Sequence, residues 1–314
     1  MPPRKSSMDN RCRRNKPYRF YMENLTMKIT DVLQTGKRCL SFEVFPPKTS
    51  AAFESTLAAT EGVGALKPDF MSVTYGAGGG TSAFTLDITS NLEKKYGIPV
   101  LAHLTCVNST RETVHRQMEL MRERGIENVM ALRGDLVEGA PPADQREYNY
   151  ACQLIEELRE FGGFCIGGAC YPEGHPESAS LQEDLRHLKE KVDAGCQFLT
   201  TQMFFDNDVF YNFLYKVRDM GITVPVIPGI MPMTNVKQVK RTLALAGGSL
   251  PREFRYIMDR FGDNPAAFAQ AGIAYATQQI VDLYANGIQA IHVYSMNNPD
   301  VARRIQANVS ELIK

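Results

Sequence analysis

From Cys39 onward, short runs rich in β-branched and other apolar residues recur about every 25 to 35 residues. They read CLSFEVF (39–45), DFMSVTY (69–75), PVLAHLTC (99–106), NVMALRGD (128–135), FCIGGACYP (164–172), FLTTQMFF (198–205), PVIPGIMP (225–232) and AIHVYSM (290–296). Each has the length and composition of a strand. The stretches between them carry apolar residues at spacings of three and four, as Leu181, Leu185, Leu188 and Val192 do, and predict helices. Several of these stretches close on a glycine just before the next strand, at Gly97, Gly125, Gly195, Gly221 and Gly287, where a left-handed residue ends a helix. The segment 250–264 predicts one further helix between the seventh and eighth strands. Near-continuous apolar strands alternating with helices predict a parallel sheet covered by helices. Eight such units are the number that closes an α/β barrel, the (β/α)8 or TIM barrel. A doubly wound sheet is the alternative, but it usually carries fewer strands and a glycine fingerprint that this chain lacks.

The first 27 of the 314 residues are polar and without periodicity, and predict a disordered basic extension (1–27) ahead of one domain, 28–314. Residues 1–20 hold seven basic side chains and one acid, which leaves 28 basic and 34 acidic residues for the rest. A globally basic nucleic-acid-binding body is thereby excluded, and the tail alone could carry such a role. Charges in a disordered tail are more often a solvated extension, so no nucleic-acid partner is expected. No apolar run reaches the roughly 18 residues of a membrane span, and no apolar stretch suits a secretory signal. The expectation is a cytoplasmic protein with no membrane partner. Seven cysteines without a C-x-x-C pair and five scattered histidines predict reduced core thiols and no metal site.

Chemistry in such a barrel sits at the C-terminal ends of the strands, and the polar residues concentrate there: Glu43, Thr74, Tyr75, His103, Arg133, Asp135, Tyr171, Glu173, His175, Gln202, Tyr294 and Asn297. Alternation puts Ser41, Glu43 and Phe45 on one face, so a barrel-facing Glu43 is a general-acid candidate with a pKa raised by burial. Equally, it could be a carboxylate held by a buried basic partner. GAGGGT (76–81) lacks the Lys-Ser/Thr of a P-loop and the third glycine of G-x-G-x-x-G, and reads either as a flexible turn or as backbone that a flat ligand or phosphate can approach. LRGD (132–135) offers a cation and an acceptor around one glycine, or an internal ion pair. YPEGHPE (171–177) is a turn unusually dense in Tyr, His and Glu for a plain connection.

On these residues the chain resembles the methylenetetrahydrofolate reductases. The matching stretches are FEVFPPKT (42–49), SVTYGAGG (72–79), AHLTCV (102–107), NVMALRGD (128–135), YPEGHPE (171–177), LKEKVDAG (188–195), TTQMFFD (200–206), PVIPGIMP (225–232) and IHVYSMN (291–297). The resemblance implies a (β/α)8 barrel of the compact bacterial type, with FAD at the C-terminal ends of the strands. It places Thr74, His103, Arg133, Gly134, Asp135, Tyr150, Ala151, Tyr171, His175, Asp184 and Lys191 at FAD, and Tyr75, Ala77, Gln202, Val236 and Tyr294 at the substrates. NADH or NADPH and the folate would use one flavin face in turn, in a ping-pong reduction of 5,10-methylenetetrahydrofolate to 5-methyltetrahydrofolate that supplies methionine synthesis. The implied catalytic residues are Glu43, as general acid on a folate nitrogen, Asp135, which bonds the pterin and tunes the flavin potential, and Gln202, whose amide both donates and accepts. A homo-oligomer is expected.

Three positions depart from the family pattern. Val236 stands where an aromatic usually stacks on the nicotinamide or folate, and Met296-Asn297-Asn298 replaces Leu-Asn-Arg, whose Arg binds the folate glutamate. Arg303 and Arg304 lie about one helical turn beyond and are candidates to substitute for it. Cys196 replaces an Ala. The competing enzyme class is a flavin-free, pterin-binding barrel methyltransferase.

Overall fold

The computed structural model describes residues 27–75, 82–246 and 249–314. The expected extension up to residue 26 and the GAGGGT segment with Ala77 lie outside the described residues. The strands are β1 (Cys39–Val44), β2 (Phe70–Val73), β3 (Val100–Thr105), β4 (Asn128–Leu132), β5 (Cys165–Cys170), β6 (Phe198–Thr201), β7 (Val226–Ile227), β8 (Gly229–Ile230) and β9 (Ala290–Tyr294). The helices are α1 (Ile29–Gln34), α2 (Phe53–Gly64), α3 (Ser82–Tyr96), α4 (Arg111–Glu123), α5 (Ala151–Phe161), α6 (Leu181–Ala194), α7 (Asn207–Asp219), α8 (Val236–Ala246), α9 (Arg252–Phe261), α10 (Pro265–Ala285) and α11 (Pro299–Val309). The helix expected between the last two strand segments is α9. Gly97, Gly125, Gly195, Gly221 and Gly287 all have left-handed φ, between 67° and 127°, as their positions after helices require.

All strand pairs are parallel, in the order β7-β6-β5-β4-β3-β2-β1-β9-β8. The two ends of this sheet are halves of one segment, the seventh apolar run. Pro228 has no N–H and interrupts the ladder there. The first half pairs with β6 through Leu199↔Val226 and Thr200↔Ile227, and the second with β9 through Gly229↔His292 and Ile230↔Val293. The Pro228 carbonyl itself accepts from His292 N at 3.0 Å. One segment thus joins both edges, and the sheet closes as a barrel. A Cβ on Gly229 would sit 2.5 Å from the Thr201 carbonyl and 2.6 Å from the Tyr294 hydroxyl, so only glycine lets the strands meet here.

Side chains alternate as a closed sheet demands. Leu40, Phe42 and Val44 face the helices and join the large core with Val73, Leu104, Ile166 and Ile291. Cys39, Phe70, Leu101, Met130, Cys165, Phe198, Ile227 and Ala290, one from each of eight strands, form an apolar layer inside the barrel. Ile29 and Val32 of α1 plug this layer from below, and Asn128 Oδ1 accepts the Ile29 N–H at 2.9 Å. The sequence pattern did not predict this short plug. The six described cysteines are free thiols, buried except for the half-buried Cys152. Among the described residues no helix is long and apolar enough to cross a membrane.

Glu93 on α3 is a polar exception away from the strand C-termini. Burial pushes its carboxyl up to about 8, with Glu127 adding to the rise while the Val100 N–H and Lys94 draw it partly back. Its Oε1 is buried without a hydrogen-bond partner. The folded state therefore holds a proton that the unfolded chain gives up near its ordinary value of 4.5. Stability from this group is complete below that value and is lost as pH rises through about 8. Glu93→Gln is expected to flatten the decline of Tm between mildly acidic pH and pH about 8. Thermal unfolding across that range checks it, and parallel profiles for both proteins would remove Glu93 as the cause.

Candidate active site

Above the apolar layer the barrel interior turns polar. The register places Glu43 of β1 opposite Ser72 of β2 on one side and Tyr294 of β9 on the other. Ser72 Oγ lies 3.2 Å from Glu43 Oε2 and 3.1 Å from His292 Nε2. His292 Nδ1 is 2.8 Å from Ser41 Oγ, which lies 3.0 Å from the Ile291 carbonyl oxygen. His103 Nε2 and His292 Nε2 stand 3.6 and 3.7 Å from the same Glu43 oxygen. The His292 ring is stacked parallel to Phe70, at 6.0 Å between centroids, and meets the edge of Tyr294 at 5.5 Å.

The Ser41 hydroxyl can donate to the Ile291 carbonyl or to His292 Nδ1, according to the tautomer of the ring. Ser72 has one hydroxyl hydrogen and two acceptors beside it. When it points at Glu43, His292 Nε2 must carry a proton to fill the other contact. When it points at His292, the carboxyl must be protonated instead. Ser41, His292 and Ser72 thus form a hydrogen-bonded chain that ends on Glu43.

The charge balance of Glu43 corrects the sequence expectation of a raised pKa. Burial does work upward. The His292 and His103 imidazoles within 4 Å and the Ser72 hydroxyl together outweigh it, and the carboxyl rests below its ordinary range. Burial holds His103 below the ordinary histidine value despite the upward pull of Glu43. The Glu43 side chain retains 19% exposure, so the column opens toward the mouth.

A cavity of about 610 Å³ lies at the C-terminal ends of β2 to β6, within the size range of cofactor pockets. The eleven residues singled out for FAD, Thr74, His103, Arg133, Gly134, Asp135, Tyr150, Ala151, Tyr171, His175, Asp184 and Lys191, all line it, with Tyr75 and Gln202. Arg133 is held by Glu177 in a two-pronged pair, both contacts at 2.7 Å, and its Nε donates to the Gly134 carbonyl. Gly134 has φ 83°, and a Cβ there would lie 2.9 Å from the Thr105 Cβ, so backbone itself forms this wall. Lys191 Nζ donates to the Ala169 carbonyl at 2.5 Å. His175 Nδ1 accepts from the Glu177 N–H at 3.1 Å, while burial and Arg133 lower its pKa. Neutral His175 thus carries its proton on Nε2. Burial and the Asp135 carboxylate push Tyr171 up to about 12, which keeps it a hydroxyl donor. Arg133 and Lys191, aromatic faces and close-packed backbone could hold a flat dinucleotide such as FAD, beside the carboxylates of Asp135, Asp184 and Glu190.

Other expected residues fall outside the cavity lining. Tyr294 donates to the Thr201 carbonyl at 2.6 Å and spans the barrel where it closes. Val236 opens α8 and packs in an apolar cluster with Met203, Phe205, Met233, Val239 and Phe254. Asn298, where the family has Arg, caps α11 by accepting from Asp300 N and Val301 N. Arg303 pairs with Asp300 on its own helix. The sequence reading assigned no role to His187, whose ring stacks on Tyr150 at 4.9 Å, nor a partner to Glu177. The signal for His187 was present: with Asp184 and Lys191 it occupies one face of α6 at helical spacing.

The family model described as Methylenetetrahydrofolate reductase matches residues 28–310. The chain belongs to the methylenetetrahydrofolate reductase family. It is 36% identical over 283 residues to Methylenetetrahydrofolate reductase (NADH) 1 of Arabidopsis thaliana, covering 86% of this chain and 48% of that protein. It is 34% identical over 270 residues to the 5,10-methylenetetrahydrofolate reductase of Escherichia coli (strain K12), covering 86% and 90%. The chain therefore spans about half the length of the plant reductases it matches and most of the bacterial ones. Among solved structures, a Clostridium thermocellum protein described as binding two copies of 5-methyl-5,6,7,8-tetrahydrofolic acid shares the fold, with a TM-score of 0.58 at 15% identity over 91% of this chain and 99% of that one.

Proposed function

We propose that the chain reduces 5,10-methylenetetrahydrofolate to 5-methyltetrahydrofolate at the expense of NADH or NADPH, with FAD as resident cofactor. The observation that carries this reading is the convergence of all eleven family FAD positions on one cavity at the barrel mouth, next to the Glu43 column. The plant relatives are named for NADH, which makes it the first nucleotide to test. Bound FAD would supply the hydride chemistry, which no side chain here provides. Lys191, Arg133, His175 Nε2–H and the Gly134 backbone would hold it. Gln202 lines the cavity with an amide suited to a ring that both donates and accepts. Glu43 would pass a proton to a nitrogen of the folate, with Ser72 and His292 beside its carboxyl. A cytoplasmic homo-oligomer serving methionine synthesis belongs to the same reading.

The test is anaerobic bleaching of the purified yellow protein by NADH or NADPH, followed by reoxidation with methylenetetrahydrofolate. A colourless protein that transfers a methyl group would favour the flavin-free methyltransferase instead. Lys191→Met keeps the stem of the side chain and removes the ammonium. It is expected to weaken FAD retention by roughly 10- to 100-fold, the worth of a hydrogen bond to a charged group. Flavin absorbance per protein after dialysis measures this, and full retention would take Lys191 out of the cofactor site.

A further inference from the structure

We propose that Asn297 is a positioning residue for Glu43, acting through the backbone of Phe45. The proposal rests on the reading of Glu43 as proton donor. The β1·β9 ladder ends at the pair Glu43↔Tyr294. Past that point side chains from the 295–297 turn continue it. Ser295 Oγ donates to the Glu43 carbonyl at 2.6 Å. Asn297 Oδ1 accepts from Phe45 N at 2.9 Å, and Asn297 Nδ2 donates to the Phe45 carbonyl at 2.9 Å. One side-chain amide thus offers Phe45 the donor and acceptor that a neighbouring strand would have offered.

The geometry that brings this amide into place is unusual. Met296 and Asn297 both have φ 53°, a left-handed conformation that L residues avoid for steric reasons and that Asn tolerates best after Gly. Two such residues in succession persist because the surrounding bonds require them. Glu43 itself has only loose side-chain restraints, with its carboxylate contacts at 3.2 to 3.7 Å. Its reach into the mouth is therefore set largely by its main chain, which is pinned at its own carbonyl by Ser295 and two residues later by Asn297. Without the second pin, β1 beyond Val44 is a free strand end leading into Pro46 and Pro47, neither of which has an N–H to bond elsewhere.

Asn297→Gly suits the left-handed φ and deletes both bonds, so it tests position separately from folding. In the FAD-loaded protein, the Phe45 amide is expected to exchange hydrogen at the rate of an open loop. The folate half-reaction is expected to slow by roughly 10- to 100-fold, as a small misplacement of a reacting group does, with its pH profile displaced. The nucleotide half-reaction should keep its rate. Asn297→Asp keeps the acceptor but sets a carboxylate oxygen against the Phe45 carbonyl, so it should fall with Gly and not restore the parent. Unchanged Phe45 exchange, a full folate rate in Asn297→Gly, or equal losses in both half-reactions would each overturn the proposal. A normal folate step in Glu43→Gln, with Asn297→Gly still slow, would instead remove the underlying reading of Glu43.

Discussion

Glu43→Gln is expected to leave reduction of the flavin by nucleotide close to its original rate while slowing the folate step by about 10²-fold or more, the scale of general acid catalysis. The substitution keeps the size of the side chain and an acceptor for Ser72. It removes the carboxyl of the column and with it the proposed proton donor. Burial alone would suit Glu43 to hold a proton at neutral pH, but His292, His103 and Ser72 hold it ionised instead. In the proposed reaction Glu43 would have to be protonated before donating, so the folate step should gain rate as pH falls toward the depressed value of the carboxyl. Stopped-flow measurement of the two half-reactions separates the roles, and equal losses in both would mean that Glu43 serves the structure or the nucleotide.

His292→Phe should produce the second large effect, on stability as well as rate. The ring is nearly isosteric and keeps the stack on Phe70. Both nitrogens disappear, leaving Ser41, Ser72 and Glu43 short of partners inside the barrel. Leaving a buried polar group unsatisfied costs about 1–3 kcal/mol. The pH dependence should weaken with it. In the parent, Glu43 lies below its unfolded value, so its stabilising contribution is present above the ordinary 4.5 and is lost as pH falls through the depressed folded value. In the variant the lowering by His292 is gone and burial is opposed only by His103 and Ser72, so that loss on acidification should shrink. Denaturant unfolding from acidic to neutral pH reads the two slopes. A variant with the parent's slope would show that His292 does not hold the charge on Glu43.

Much of this was legible in the chain itself. Period-two alternation in CLSFEV set Ser41 and Glu43 on one face and Leu40, Phe42 and Val44 on the other, because successive strand side chains must point to opposite sides. Helical periodicity and terminal glycines gave the eight units, since only a left-handed residue ends those helices so abruptly. The residues at the strand ends marked the cavity, because burying so many polar groups at one end is costly unless they serve a site.

What the chain could not disclose depends on contacts between distant segments. Pro228 reads as a break in a strand, and only closure of the sheet makes that broken segment the partner of both β6 and β9. The plug α1 is too short to show periodicity, and it exists because eight strands leave an apolar opening beneath them. Val236 owes its place to a core cluster drawn from distant segments, Met203 and Phe205 after β6, Phe254 of α9 and Phe268 of α10. The ionisation of Glu43 was misjudged for the same reason. Burial is a local tendency of an apolar strand, but Ser41 and His292 are 251 residues apart in sequence. The barrel brings His292, His103 and the Ser72 hydroxyl beside the carboxyl, and together they outweigh the desolvation that the sequence alone implied.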